Sequence, residues 1–166
     1  MGKNIVLIGL PGSGKSTVGQ LLAEKLGRPF LDTDAMAEAR EGRAISAIFA
    51  AEGEAYFRNL ETACAKEAAA AEDTVIATGG GIVLRRENMD ALGKTGAVYF
   101  LDRSPGEIAS GVDVSGRPLL AGQREMIFRL HKERIALYRR YARAAFAGGT
   151  PEELAEAIAL MFEMTE

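Results

Sequence analysis

Short apolar runs, each closed off by glycine or aspartate, recur along the chain: Ile5 to Ile8, Phe30-Leu31, Val75 to Ala77, Val98 to Leu101 and, more weakly, Ala144 to Ala147. None alternates with polar positions, which is the pattern of strands covered on both faces in a parallel sheet. Helical spacing fills the gaps between them. Thr17 to Leu26 stops at Gly27, a residue suited to close a helix. Tyr56 to Ala71 is alanine-rich and puts Phe57, Leu60 and Cys64 on one face, and Glu125 to Tyr141 does the same with Phe128, Ile135 and Tyr138. The last helix opens on Thr150 as N-cap, Pro151 at the first helical position and Glu153 as the partner of a capping box. Strands alternating with helices predict an α/β fold with right-handed crossovers. One connection, Ser110 to Gly122, is glycine-rich and long for a compact domain. No internal repeat is visible.

A chain of 166 residues, 48% apolar and 26% charged, suits one globular domain. Lys and Arg number 20 against 23 Asp and Glu, a net charge of −3 that gives no basic footprint for nucleic acid. Cys64 is the only cysteine and has no intramolecular disulfide partner, which fits a reducing compartment. The apolar stretch near the N-terminus is too short for a signal peptide or a membrane span. These features lead to the expectation of a cytoplasmic protein with no membrane partner.

Chemistry enters at "GLPGSGKS", Gly9 to Ser16, which fits G-x-x-x-x-G-K-[ST] and lies between an apolar strand and a helix. In that setting backbone N–H groups and a helix N-terminus surround phosphates, Lys15 reaches the β/γ-phosphates and the Ser16 hydroxyl ligates Mg²⁺. The chain is therefore expected to bind a nucleoside triphosphate. A switch GTPase is disfavoured: N-K-x-D is absent, and the D-x-x-G at Asp90 to Gly93 follows a helical stretch rather than a strand. A kinase must also select and orient an acceptor hydroxyl. "FLDTDAMAE" offers two carboxylates, Asp32 and Asp34, which an extended chain would point to the same side. A plainer reading leaves Asp34 as the cap of a helix beginning near Ala35.

Taken together, "GLPGSGKST", "FLDTDAMAE", "FRNLE", "TGGGIVL", "GRPLL" and "ERIALYRR" resemble the shikimate kinase family, in order, from about residue 4 to residue 141. The resemblance implies a P-loop kinase fold, a three-layer α/β/α domain over residues 1–166 with a five-stranded parallel sheet in the order 2-3-1-4-5. It places an acceptor-binding segment at about 33–61 and a flexible lid at about 112–124. It implies ATP- and Mg²⁺-dependent phosphorylation of the 3-hydroxyl of shikimate, a step of aromatic amino-acid synthesis, by a protein expected to be a monomer. ATP would be held by Gly12, Ser13, Gly14, Lys15, Ser16, Thr17 and Arg117. Asp32 matches the aspartate on the metal side, with Ser16, and Asp34 the one that binds substrate hydroxyls and is the candidate base. Arg58 and Arg134 match the carboxylate-binding arginines, with Glu61 one turn after Arg58 to hold its guanidinium. Gly79, Gly80 and Gly81 match the glycines against which the shikimate ring lies, and Arg117 the arginine that closes over the phosphates. Surface ion pairing for Arg58, Glu61 and Arg134, and a plain turn for the glycines, are the alternatives.

Two segments depart from the family pattern. Ser110 stands where an arginine usually stacks on adenine, with Gly111 in the following threonine position, and Ala147 to Pro151, the other wall of the adenine pocket, is also altered. These changes bear on nucleotide affinity and leave the acceptor residues in place. His131, the only histidine, is expected to be a solvated surface residue. Two other functions compete: a kinase for another polyol acid such as gluconate, and a nucleotide-binding module without turnover.

Overall fold

The computed structural model describes residues 2–111, 117 and 119–166. β1 (Asn4–Ile8) is central because every one of its residues is covered. Its odd and even side chains go to different layers. Ile5 and Leu7 pack with Val18 and Leu22 of α1 (Lys15–Leu26) and Ile158 and Phe162 of α8 (Pro151–Thr165). Val6 and Ile8 pack on the other face with Ala65 and Ala68 of α4 (Glu54–Ala69), Leu92 of α5 (Arg86–Thr95) and Tyr138 of α7 (Ala121–Tyr141). A strand used on both faces has no room for polar alternation, which is why it reads as an unbroken apolar run.

β1 pairs in parallel with β3 (Val75–Ala77) and β4 (Gly96–Leu101), Ile5 standing beside both Val75 and Ala97. β2 (Phe30–Asp32) and β5 (Ala144–Phe146) complete the sheet at its edges, in the order β2-β3-β1-β4-β5. This is the expected order, with helices on both faces. The edge strands are only partly covered, so the expectation of burial on both faces holds for β1, β3 and β4 alone. The connections from the adjacent strands β1 and β3 run in opposite directions, β1 to β2 at one edge and β3 to β4 on the other side, and at such a point a parallel sheet opens a crevice beyond its carboxyl strand ends.

Helix limits differ from the sequence expectations in ways that have causes. α1 begins at Lys15 rather than Thr17. α2 (Thr33–Glu41) and α3 (Ile45–Glu52) precede α4 and share with it a small core of Ala37, Ile48, Phe57, Leu60 and Cys64. The five-residue α6 (Pro105–Ala109) is set by Ser104, whose side chain accepts from Glu107 N at 3.1 Å, with Pro105 at its start. α8 is capped by Thr150, whose side-chain oxygen accepts from Glu153 N at 3.1 Å. α7 buries Ile127, Arg134 and Tyr138, and Ile135 packs against the same core, so two members of the predicted stripe face inward, whereas Phe128 is half exposed. His131, on the same helix, is partly buried rather than solvated. α7 begins at Ala121, so the last residues of the expected lid form its first turn, while 112–116 and 118 lie outside the described residues. Among the described residues no helix is long and apolar enough to cross a membrane.

Candidate active site

The chain leaves β1 at Ile8, turns through residues 9–14 and enters α1 at Lys15. Gly14, the residue before the helix, has φ 93°, a left-handed conformation that glycine adopts without strain, and it supplies no side-chain cap. The first N–H groups of α1 therefore remain available to an anion. Lys15 is 7% exposed and donates from Nζ to the Gly9 and Leu10 carbonyls at 2.6 and 2.8 Å. Burial pulls its pKa down to about 8, against the attraction of Asp34 and Asp32.

Those two aspartates come together by a route that extended-chain alternation did not describe. Asp32 is the last residue of β2 and the N-cap of α2, while Asp34 already lies in the first helical turn. The cap is thus Asp32, not Asp34. Its Oδ1 accepts from Asp34 N at 2.9 Å and Ala35 N at 3.3 Å, and its Oδ2 accepts from the Ser16 hydroxyl at 2.6 Å. Asp34 keeps its carboxylate free of capping. Burial first, then the charges of Asp32 and Glu61, push its pKa up to about 6. A cleft of about 500 Å³ collects Pro11, Gly12, Gly14 to Thr17, both aspartates, Thr78 and Gly80.

Beyond Asp34 the site is built on the turn after β3. A Cβ on Gly79 would collide with the Asp34 carboxylate, on Gly80 with the Pro11 ring and on Gly81 with the Arg58 guanidinium. The Pro11 ring beside Gly80 is fixed, whereas at Gly79 and Gly81 an added methyl would push the Asp34 and Arg58 side chains out of place. Arg58 donates from Nη1 to Glu61 Oε1 at 3.0 Å, one turn along α4, and lies over the Phe57 and Phe49 rings at 5.5 and 5.9 Å. Glu61 is 2% exposed and burial raises its pKa, although Arg58 and Arg134 oppose this. Arg134 reaches the same place from α7: it acts on both Glu61 and Lys15, and its Nε is buried without a hydrogen-bond partner among the described residues.

Several contributors carry no sequence signal. Thr33 Oγ1 accepts from Gly79 N at 3.2 Å, and Thr78 Oγ1 donates to Leu7 O at 2.7 Å, pinning both ends of β3's exit. Tyr138, fully buried and stacked on Phe100, donates its hydroxyl to the Gly80 carbonyl at 2.6 Å. It reads in sequence as one more core aromatic.

The family profile described as shikimate kinase matches residues 11–163. The chain belongs to the shikimate kinase family. A shikimate kinase of Symbiobacterium thermophilum is 56% identical over 122 residues, covering 72% of this chain and 70% of that protein. Among solved structures, shikimate kinase from Acinetobacter baumannii in complex with shikimate superposes with a TM-score of 0.91 at 33% identity, covering 100% of this chain and 96% of that one. A gluconokinase from Sinorhizobium meliloti superposes less well, at TM-score 0.63 and 21% identity over 99% of this chain and 97% of that one, a likeness of fold alone.

Against the shikimate kinase pattern, the Ser110 departure has a definite structural expression. Its N–H and hydroxyl donate to the carbonyls of Gly106 and Glu107, at 3.1 and 3.0 Å, closing α6 on itself. Arg117 is exposed.

Proposed function

We propose that the chain transfers the γ-phosphoryl group of ATP to the 3-hydroxyl of shikimate, releasing shikimate 3-phosphate and ADP. The observation that carries this reading is the grouping of Arg58, Glu61 and Arg134 beside Asp34. Two guanidinium charges and one buried carboxylate leave a single positive charge, which matches one acceptor carboxylate. Arg134, whose Nε has no hydrogen-bond partner among the described residues, brings the second guanidinium to that carboxylate. Glu54, also 3.3 Å from Arg58, is 64% exposed, so solvent screens it.

With the carboxylate so held, a ring hydroxyl faces Asp34, the acceptor of its proton as the new O–P bond forms. Backbone N–H groups from Gly12 to Thr17 and the ammonium of Lys15 hold the phosphates. Arg117 meets the charge that develops on the transferring group. Gly80 and Gly81 form the wall against which the acceptor ring lies. Ser16 Oγ and Asp32 Oδ2, a hydrogen bond apart at the start of α1, are the hard oxygen donors that Mg²⁺ takes. Among the described residues no cluster of three or more His, Cys, Asp or Glu could hold a metal, so its remaining ligands would be phosphate oxygens and water. Held there, Mg²⁺ would supply positive charge to offset that of the phosphates.

The reading is tested by ADP release with MgATP and a panel of shikimate, quinate, gluconate and nucleoside monophosphates. Turnover with shikimate far above the others is expected. A preference for gluconate would reassign the acceptor, and no turnover with any would favour a binding module.

A further inference from the structure

We propose that Glu38 is a positioning residue for the acceptor: it fastens α3 to α2 and, through Phe49, keeps the Arg58 guanidinium in place. The inference rests on the shikimate reading above. α3 has no cap of its own. Its N-cap position is Ala44, which offers no side-chain acceptor, and the first N–H groups of a helix have no partner within it. Glu38, in the last turn of α2, reaches across the turn at Gly42, and its Oε2 accepts from Ile45 N at 2.9 Å. A carboxylate at that place also meets the positive end of the α3 dipole. The backbone carbonyl of Glu38 accepts from Gly42 N at 2.8 Å, so one residue fixes both sides of the turn.

What α3 carries explains why its position matters. Ile48 is fully buried in the small core that α2, α3 and α4 share. Next to it, the Phe49 ring lies 4.8 Å from that of Phe57, and the Arg58 guanidinium stands 5.9 Å over it. One face of Arg58 therefore rests on a side chain that α3 supplies. The core beneath is small, so a polar fastener weighs more here than it would under the sheet. Asp34 stands one turn before Glu38 on α2, and Glu38 thus ties the helix of the candidate base to the support of the carboxylate-binding arginine. Glu38 does not line the cleft that holds Asp34 and the phosphate loop, so it acts through α3 rather than on a ligand. Its negative charge also bears on Asp34, so a test must separate cap from charge.

Calorimetric titration of shikimate and of MgADP into wild type, Glu38→Gln and Glu38→Ala does so. The glutamine amide oxygen can still accept from Ile45 N without the charge, and alanine cannot. Glu38→Ala should weaken shikimate roughly two- to thirty-fold, a lost helix cap converted to affinity. Glu38→Gln should keep most of the wild-type affinity, and MgADP should bind all three proteins alike, which also reports that the variants are folded. In a Phe49→Ala background, Glu38→Ala should add no further loss, since the two act in series. Amide hydrogen exchange without ligand should quicken at Ile45 to Phe49 in Glu38→Ala alone. Unchanged shikimate affinity in Glu38→Ala, equal losses in both variants, or a parallel loss of MgADP affinity would each overturn the proposal. Equal losses would make Glu38 a source of charge at Asp34, and the parallel loss a residue of general stability. Wild type that binds MgADP but no shikimate would remove the acceptor reading, and the proposal with it.

Discussion

Replacing Asp34 by asparagine should leave a protein that is more stable and nearly inactive. Asp34 is pushed from an ordinary 3.8 up to about 6, mainly by burial and then by Asp32 and Glu61. A rise of about two pKa units corresponds to about 3 kcal/mol. Between these two values the folded protein holds a proton that the unfolded chain has lost, so stability falls as pH rises through the window. The cost is absent below about pH 4 and complete above about pH 6. Asparagine does not titrate. Asp34→Asn should therefore match wild type near pH 4 and exceed it by about 3 kcal/mol at pH 8, a rise of roughly 6–12 °C in Tm for a chain of this size. Turnover should drop roughly 10²- to 10⁴-fold with ADP binding intact, the usual range for a general base. Thermal unfolding from pH 4 to 8, with ADP release on the same samples, measures both. Equal melting temperatures at pH 8 would show that the carboxylate is not desolvated. Near-normal turnover of a folded variant would remove Asp34 from the chemistry.

Other consequences are local to particular residues. Gly81→Ala should displace the Arg58 guanidinium and weaken shikimate binding without changing MgADP affinity, as titration of each ligand would show. Tyr138→Phe removes the hydroxyl's bond to the partly buried Gly80 carbonyl, which costs about 1 kcal/mol in urea unfolding, and it should raise KM for shikimate while KM for ATP holds. Arg117→Ala should lower kcat far more than it weakens shikimate binding, since the charge it meets develops on the transferring phosphoryl group; equal losses in both would make it a binding residue.

Physical causes separate what the sequence disclosed from what it hid. β1, β3 and β4 are covered on both faces and so write themselves as apolar runs, whereas the edges β2 and β5 leave weaker traces. The phosphate loop was readable because its glycines and Lys15 answer to local backbone needs. Arg58 and Glu61 were also readable, being one helical turn apart. The partnership of Arg134 with Glu61 depends on α7 packing over the sheet, which no local pattern records. On α7, Ile135 and Tyr138 face the core as expected, but a cation at the core position 134 breaks the apolar rhythm, and exposed Phe128 reads as a member in place of its neighbour Ile127. The two aspartates were rightly paired for the wrong reason, because α2 starts at Thr33 and capping, not strand alternation, brings them together.

The central claim is that Arg58 and Arg134 hold the acceptor's carboxylate in front of Asp34. Its most direct test is a calorimetric cycle with shikimate and its methyl ester on wild type and Arg58→Ala. Leaving a charged group underpaired costs about 2–5 kcal/mol, so wild type should bind shikimate roughly 30- to several-thousand-fold more tightly than the ester. In Arg58→Ala that preference should largely collapse. The same preference in both proteins would place the carboxylate elsewhere and contradict the account.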